Sequence, residues 1–97
     1  MFQPRGIFQT LNLSNVAQAV FTGGRRVAGF FIVGGAAAEI VIFRKIDDTE
    51  YFRIPVAIGA LVDLSKSEFY ANGGLELITA SAAGDVQVVV FYDNASF

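Results

Sequence analysis

The sequence predicts an all-β fold, an antiparallel β-sandwich that is jelly-roll-like, with seven or eight strands and at most one short helical turn. Short β-branched and aromatic runs recur along the 97 residues, bounded by Gly, Asn, Asp and Ser. No segment reads as a long helix. The strongest observation is the stretch 73–92, where two apolar runs, 75–80 and 86–92, flank a small-residue turn at 81–85. Paired as a hairpin, they place Ala80 opposite Val86, Ile78 opposite Val88 and Leu77 opposite Val89. Neither face of that pair is polar. A pair with one wet side alternates cleanly, so these strands are expected in the middle of a sandwich or against another chain.

The remaining elements follow in chain order. Residues 1–6 form a candidate arm, with Pro4 unable to start a central strand and Arg5 the one charge before Arg25. Ile7–Leu13 alternates and reads as a strand. Ser14-Asn15 is a turn. Residues 16–22 read as a strand with Ala17, Ala19 and Phe21 on one side, leading into Gly23-Gly24. Arg25–Val33 and residues 38–44 read as a hairpin around Gly34-Gly35-Ala36-Ala37, with Phe31 opposite Ile40, Gly29 opposite Ile42 and Val27 opposite Arg44.

Residues 51–58 form a strand with Phe52, Ile54, Val56 and Ile58 on one face and Tyr51, Arg53 and Ala57 on the other. Pro55 lacks an amide hydrogen, which restricts this strand to an edge, a bulge or a strand start. Gly59 permits a turn into a short strand at 60–64. Ser65-Lys66-Ser67-Glu68 matches a capping box, predicting one helical turn through Phe69-Tyr70-Ala71 that ends at Asn72-Gly73. The tail is short and polar apart from Phe97.

Composition points to assembly. Hydrophobic residues make up 54% of the chain and charged residues 16%, against roughly 25% charged in an average soluble domain. A single domain of residues 1–97 leaves a large share of its surface exposed. Surplus apolar surface of this kind calls for a partner. A membrane helix is not the explanation. The longest purely apolar run, residues 27–38, has twelve residues, where about 20 are needed to span. No basic segment followed by an apolar one opens the chain, so no secretory signal is expected. The net charge of −2 argues against a partner recognised by phosphate neutralisation. Cys and His are both absent, which removes disulfides, thiolate metal sites and the commonest general base.

Two surfaces are candidates for the interface. The hairpin register places Arg25 and Arg26 at the same end as Arg44 and Lys45, so that four of the seven basic residues share one edge. Its plain reading is a solvated strand end balanced by Asp47, Asp48 and Glu50; exposed pairs of this kind are common and weak. Its sharper reading is a basic edge that meets an acidic partner. The second surface is the termini, with Phe2, Arg5 and Phe8 at one end and Phe97 at the other. The turn Asp47-Asp48-Thr49-Glu50 carries carboxylates but lacks EF-hand spacing, and no metal or cofactor is expected.

The order of several short pieces resembles a group of small all-β virion proteins of tailed bacteriophages. These are Ala19-Val20-Phe21-Thr22-Gly23, Arg26-Val27-Ala28-Gly29-Phe30-Phe31-Ile32 and Ile40-Val41-Ile42-Phe43. They continue with Ile54-Pro55-Val56 and Gly59, Gly73-Gly74-Leu75-Glu76-Leu77, and Asp85-Val86-Gln87-Val88-Val89-Val90-Phe91-Tyr92. The loop between the last two strands is shorter than the insertion such proteins can carry. The resemblance implies a non-enzymatic capsid decoration (cement) protein, made in the host cytoplasm and placed on the capsid surface. Its partners would be further copies of itself, a trimer being favoured, and the major capsid protein or another virion protein, with no nucleic acid and no membrane.

Two other roles compete. A tail, collar or fibre-associated protein that binds host glycan would need exposed aromatic platforms, for which Tyr51 and Tyr70 are the candidates outside the core strands. An enzyme without His or Cys would need a carboxylate pair or a serine beside Lys66, and sequence adjacency in Ser65-Lys66-Ser67 gives no nucleophile geometry.

Overall fold

The β-branched and aromatic runs become strands, and consecutive runs mostly cross from one sheet to the other instead of pairing. The computed structural model describes residues 7–14, 16–34, 39–57, 61–63, 69–80 and 86–93. These hold β1 (Ile7–Leu13), β2 (Gln18–Phe21), β3 (Arg25–Val33), β4 (Glu39–Arg44) and β5 (Glu50–Val56). β6 (Leu61–Asp63), β7 (Phe69–Ala71), β8 (Leu75–Thr79) and β9 (Val86–Tyr92) complete them. No helix occurs among the described residues.

One sheet has the order β1-β9-β3-β6, with β7 also pairing with β3; the other has the order β2-β8-β4-β5. All strand pairs are antiparallel. The pairings are nested. β4 pairs with β5 across a tight turn, β3 with β6 and β7, β2 with β8, and β1 with β9. The chain thus runs as one long antiparallel ribbon. The ribbon rolls up because β9 also pairs with β3 and β8 also pairs with β4.

The two sheets face each other across an aromatic core. Phe30 on β3 and Phe43 on β4 have ring centroids 4.7 Å apart, and Phe52 on β5 stacks on Phe43 at 4.7 Å. Phe69 on β7 meets Phe52 edge-on at 5.2 Å. At the other side of the core, Phe21 on β2 lies 4.9 Å from Tyr92 on β9. Around these rings, Val27, Ile32, Val41, Leu75, Leu77, Val88 and Val90 have no exposed surface. Each such side chain contributes about 1.5–3 kcal/mol relative to an exposed one.

This arrangement corrects both predicted hairpins. Val86 does not oppose Ala80, because β8 and β9 belong to different sheets and each is central in its own. That central placement accounts for their lack of a polar face. Likewise Phe31 opposes Val89 and Asp63, not Ile40, and Ile42 opposes Ile78 and Arg53, not Gly29. The predicted helical turn through Phe69-Tyr70-Ala71 is also corrected. These residues are β7, with Arg25 opposite Ala71 and Val27 opposite Phe69. The capping box at 65–68 lies outside the described residues, as do the candidate arm with Phe2 and Arg5, and Phe97.

Two bulges change which side chains share a face. In β2 the register shifts between Ala19 and Phe21, so Val20 and Phe21 are both buried while Ala19 is exposed. The expected common side for Ala17, Ala19 and Phe21 is lost. In β5, Phe52 opposes Phe43 while Glu50 opposes Arg44, which leaves Tyr51 as the extra residue. A bulge re-aims its side chains. Tyr51 and Phe52, expected on opposite faces, both meet Phe69, at 5.5 and 5.2 Å. Pro55 sits on β5, an edge strand, as its missing amide hydrogen requires.

Tyr51 also ties the core to the β7–β8 connection. Its hydroxyl accepts from the Gly73 amide at 3.0 Å and donates to the Gly74 carbonyl at 2.8 Å. Gly74 has a φ of 81°, a conformation that costs an L-residue about 1–2 kcal/mol. A Cβ there would lie 2.6 Å from Ile46 Cγ1 and 2.9 Å from the Thr22 carbonyl oxygen. Gly74→Ala is therefore expected to lower the unfolding free energy by roughly 2–4 kcal/mol, strain and overpacking combined. Urea denaturation measures this, and a loss below about 1 kcal/mol would contradict the tight turn.

Candidate functional site

The four basic residues expected on one edge do gather at one end of the sandwich, but they are divided between its two sheets. Arg25 opposes Ala71 at the end of β7, and the Ile46 amide, next to Lys45, donates to the Gly73 carbonyl at 3.2 Å. Both pairs of basic residues therefore border the short connection between β7 and β8.

Three of the four are engaged within the chain. The Arg26 guanidinium forms a two-pronged pair with Asp93, Nη2 to Oδ1 at 2.9 Å and Nε to Oδ2 at 3.2 Å. The Asp93 amide returns a bond to the Arg26 carbonyl at 3.0 Å. Arg25 donates from Nη1 to the Asp93 carbonyl at 2.9 Å and lies over the rings of Phe21 and Tyr92, 6.0 and 5.8 Å from their centroids. Arg44 is paired with Glu76 across the β4–β8 ladder and with Asp48 at 3.3 Å. Two-pronged arginine–carboxylate bonds are among the stronger charge-assisted ones. Arg25, Arg26 and Arg44 thus anchor strand ends chiefly through Asp93 and Glu76; of the carboxylates expected to balance this edge, Asp48 pairs with Arg44, while Asp47 accepts from the Thr49 amide and Glu50 pairs with Arg53.

Glu76 is the unusual group here. It is buried at 7% exposure, and its carboxyl is pushed above the ordinary glutamate range. Burial is the largest cause, and the neighbouring Asp48 adds to it, against the pull of Arg44. Asp47 and Glu50, both exposed, move the other way. Asp47 is lowered chiefly by the Thr49 amide, which donates to Oδ1 at 3.0 Å, and Glu50 by Arg53. Sequence reasoning named the local carboxylates of this turn but not Glu76 or Asp93. Those two lie 32 and 67 residues from their arginines, and no local pattern signals such a pairing.

The outer faces of the sheets are the second candidate surface. On β9, Val86, Val88, Val90 and Tyr92 point into the core, and Gln87, Val89 and Phe91 alternate onto the opposite face, where Phe91 is itself buried. Phe31 opposes Val89, and its ring meets Phe91 edge-on at 5.8 Å. Val33 opposes Leu61, which is 66% exposed. Tyr70, 65% exposed, opposes Arg26 at the other end of β3. On the second sheet, Ile42 opposes Ile78, and Ile40 opposes Pro55. Ile40, Ile42 and Ile78 remain half-buried. Both outer faces therefore carry apolar rows.

No protein-family model, curated protein or solved structure matches this chain.

Among the described residues, no group of three or more acidic side chains is placed to hold a metal. No helix there is long and apolar enough to cross a membrane, which says nothing of strands. Tyr51 and Tyr70 do not form one platform. Tyr51 is half-buried with its hydroxyl bound to the β7–β8 connection, while Tyr70 faces out from the strand whose Phe69 faces in. The serines flanking Lys66 lie outside the described residues, as does the side chain of Phe8.

The raised carboxyl of Glu76 gives a signed prediction. The folded chain holds that proton more tightly than the unfolded one. Its contribution is therefore present below the unfolded value near pH ~4.3 and is lost as pH rises through the raised folded value. Comparing wild type with Glu76→Gln cancels Asp47 and Glu50, which are common to both. The stability of E76Q relative to wild type should rise between pH 4 and 7 in urea titrations. A difference independent of pH would contradict the assignment.

Proposed function

We propose that this chain is a non-enzymatic structural protein of a phage particle, a jelly-roll domain that decorates the capsid shell as an oligomer. The observation that carries this reading is the pair of apolar outer faces. Phe31, Val33 and Val89 on one sheet, and Ile40, Ile42 and Ile78 on the other, are half-buried in the single chain, beside the exposed Leu61 and Tyr70. A chain that keeps water on its outer faces places polar residues there. Rows like these fit contact with other protein.

The nested ribbon adds to this. Eight strands in two sheets wound from one long antiparallel ribbon are the jelly-roll pattern, which viral capsid and lectin domains use; here β6 and β7 share one position beside β3. A fold does not fix a function, so the weight rests on the faces. A standard interface buries roughly 800 Å² per partner. At ~25 cal/mol per Å² this corresponds to about 20 kcal/mol, before the costs of ordering remove most of it. Repetition on a lattice then multiplies modest contacts.

Labelling intact phage particles with an antibody raised against this chain tests the proposal. Label distributed over the head is expected. Label confined to a tail or collar would replace the decoration role with the tail-associated one, and a chain absent from the particles would contradict both.

A further inference from the structure

The connection between β7 and β8 contains the sequence Asn72-Gly73. The chain has three other asparagines, and they precede Leu13, Val16 and Ala95. A side chain on the following residue hinders approach to the asparagine amide carbon. Gly73 has no Cβ and leaves that approach open. Asn72 is exposed to water. Its side-chain amide is therefore the one in this sequence best suited to attack by the next backbone nitrogen.

The same nitrogen is held by the fold. The Gly73 amide donates to the Tyr51 hydroxyl at 3.0 Å, and that hydroxyl donates onward to the Gly74 carbonyl at 2.8 Å. The Gly73 carbonyl accepts from the Ile46 amide at 3.2 Å, and the Gly74 amide closes the turn onto the Ala71 carbonyl at 3.3 Å. The stem of Lys45 covers Gly73 so closely that a Cβ there would lie 2.7 Å from Lys45 Cδ. Both peptide units around Gly73 are thus fixed from two directions, by β5 and by the β4–β5 turn.

We propose that Asn72 is a site of spontaneous deamidation, through attack by the Gly73 amide nitrogen, and that the Tyr51 hydroxyl restrains this reaction in the folded chain. The Gly73 nitrogen gives up its proton to solvent and bonds to Asn72 Cγ. The Cγ–Nδ2 bond breaks, and Nδ2 takes up a proton and leaves as ammonia. Water then opens the cyclic imide at either carbonyl, giving aspartate or isoaspartate with one new carboxylate. The first step needs the Gly73 amide released from Tyr51 and turned toward its own neighbour. Local opening of the turn is enough for that. The isoaspartate product adds a methylene to the backbone beside Gly74, where the turn has no room to spare. The site stands apart from the assembly reading above and holds whether or not the chain belongs to a particle.

Incubating the purified full chain in mildly alkaline buffer, followed by peptide mass mapping and isoaspartate detection, tests the proposal. Wild type in urea should convert Asn72 at least about tenfold faster than folded wild type, with Asn12 unchanged in both. Folded Tyr51→Phe, which keeps the ring and removes the hydroxyl, should convert about fivefold faster than folded wild type; in urea the two chains should convert alike. Val41→Ala, a core cavity on β4, destabilises the whole fold without touching this turn and should stay within about twofold of wild type. Amide hydrogen exchange on wild type needs no variant and should show the Gly73 amide protected. An Asn72 that stays intact in urea, folded wild type converting as fast as unfolded, Y51F no faster than wild type, V41A as fast as Y51F, or an unprotected Gly73 amide would each overturn the proposal.

Discussion

The turn between β4 and β5 is the constraint on which the remaining pairings depend. The Lys45 amide bonds the Thr49 carbonyl at 2.7 Å, the Asp48 amide bonds the Lys45 carbonyl at 2.9 Å, and Asp48 adopts a φ of 74°. Asp tolerates that left-handed conformation better than most residues. β4 and β5 form the one pair of sequence-adjacent strands that bond to each other in a full ladder among the described residues. Each further pair, from β3 with β7 to β1 with β9, encloses the one before it. Closing longer loops costs progressively but slowly more entropy, and the contacts are mostly non-local. This fold is therefore expected to form slowly for its size, with the aromatic contacts Phe30–Phe43–Phe52 joining the layers beside that turn.

Local pattern was enough to find strands and too little to pair them. Ile7–Leu13, Arg25–Val33 and Val86–Tyr92 are strands over the lengths their alternation and apolar runs predict. Gly34-Gly35 and the small residues at 81–85 look like hairpin turns, while β3 and β4, and likewise β8 and β9, belong to different sheets. Strands apolar on both faces give no wet side from which to set a register. Phe69-Tyr70-Ala71 read as helix for a related reason. Three residues carry too little period to distinguish an edge strand from a helical turn, and their pairing with Arg25–Val27 is tertiary.

The same division holds for the candidate surfaces. Arg25, Arg26, Arg44 and Lys45 border the same β7–β8 connection, but not through the hairpin from which the sequence places them together, since β3 and β4 lie in different sheets. Their engagement was not readable, because Asp93 and Glu76 reach Arg26 and Arg44 only through the nested ribbon. Buried or half-buried charges held this way fix the strand ends. In the proposed assembly role, contact with other protein would then fall to the apolar rows. The excess of apolar residues seen in the composition is thus divided between a core that both sheets share and outer faces that a single copy does not cover.

Hydroxyl-radical footprinting of the free chain and of the chain within intact particles tests that division most directly. The account predicts that Leu61 and Tyr70, each about two-thirds exposed in the single chain, react readily when free and become protected in the particle, while Phe43, already buried in the single chain, stays unreactive in both states. Equal labelling of Leu61 and Tyr70 in the two states would contradict it.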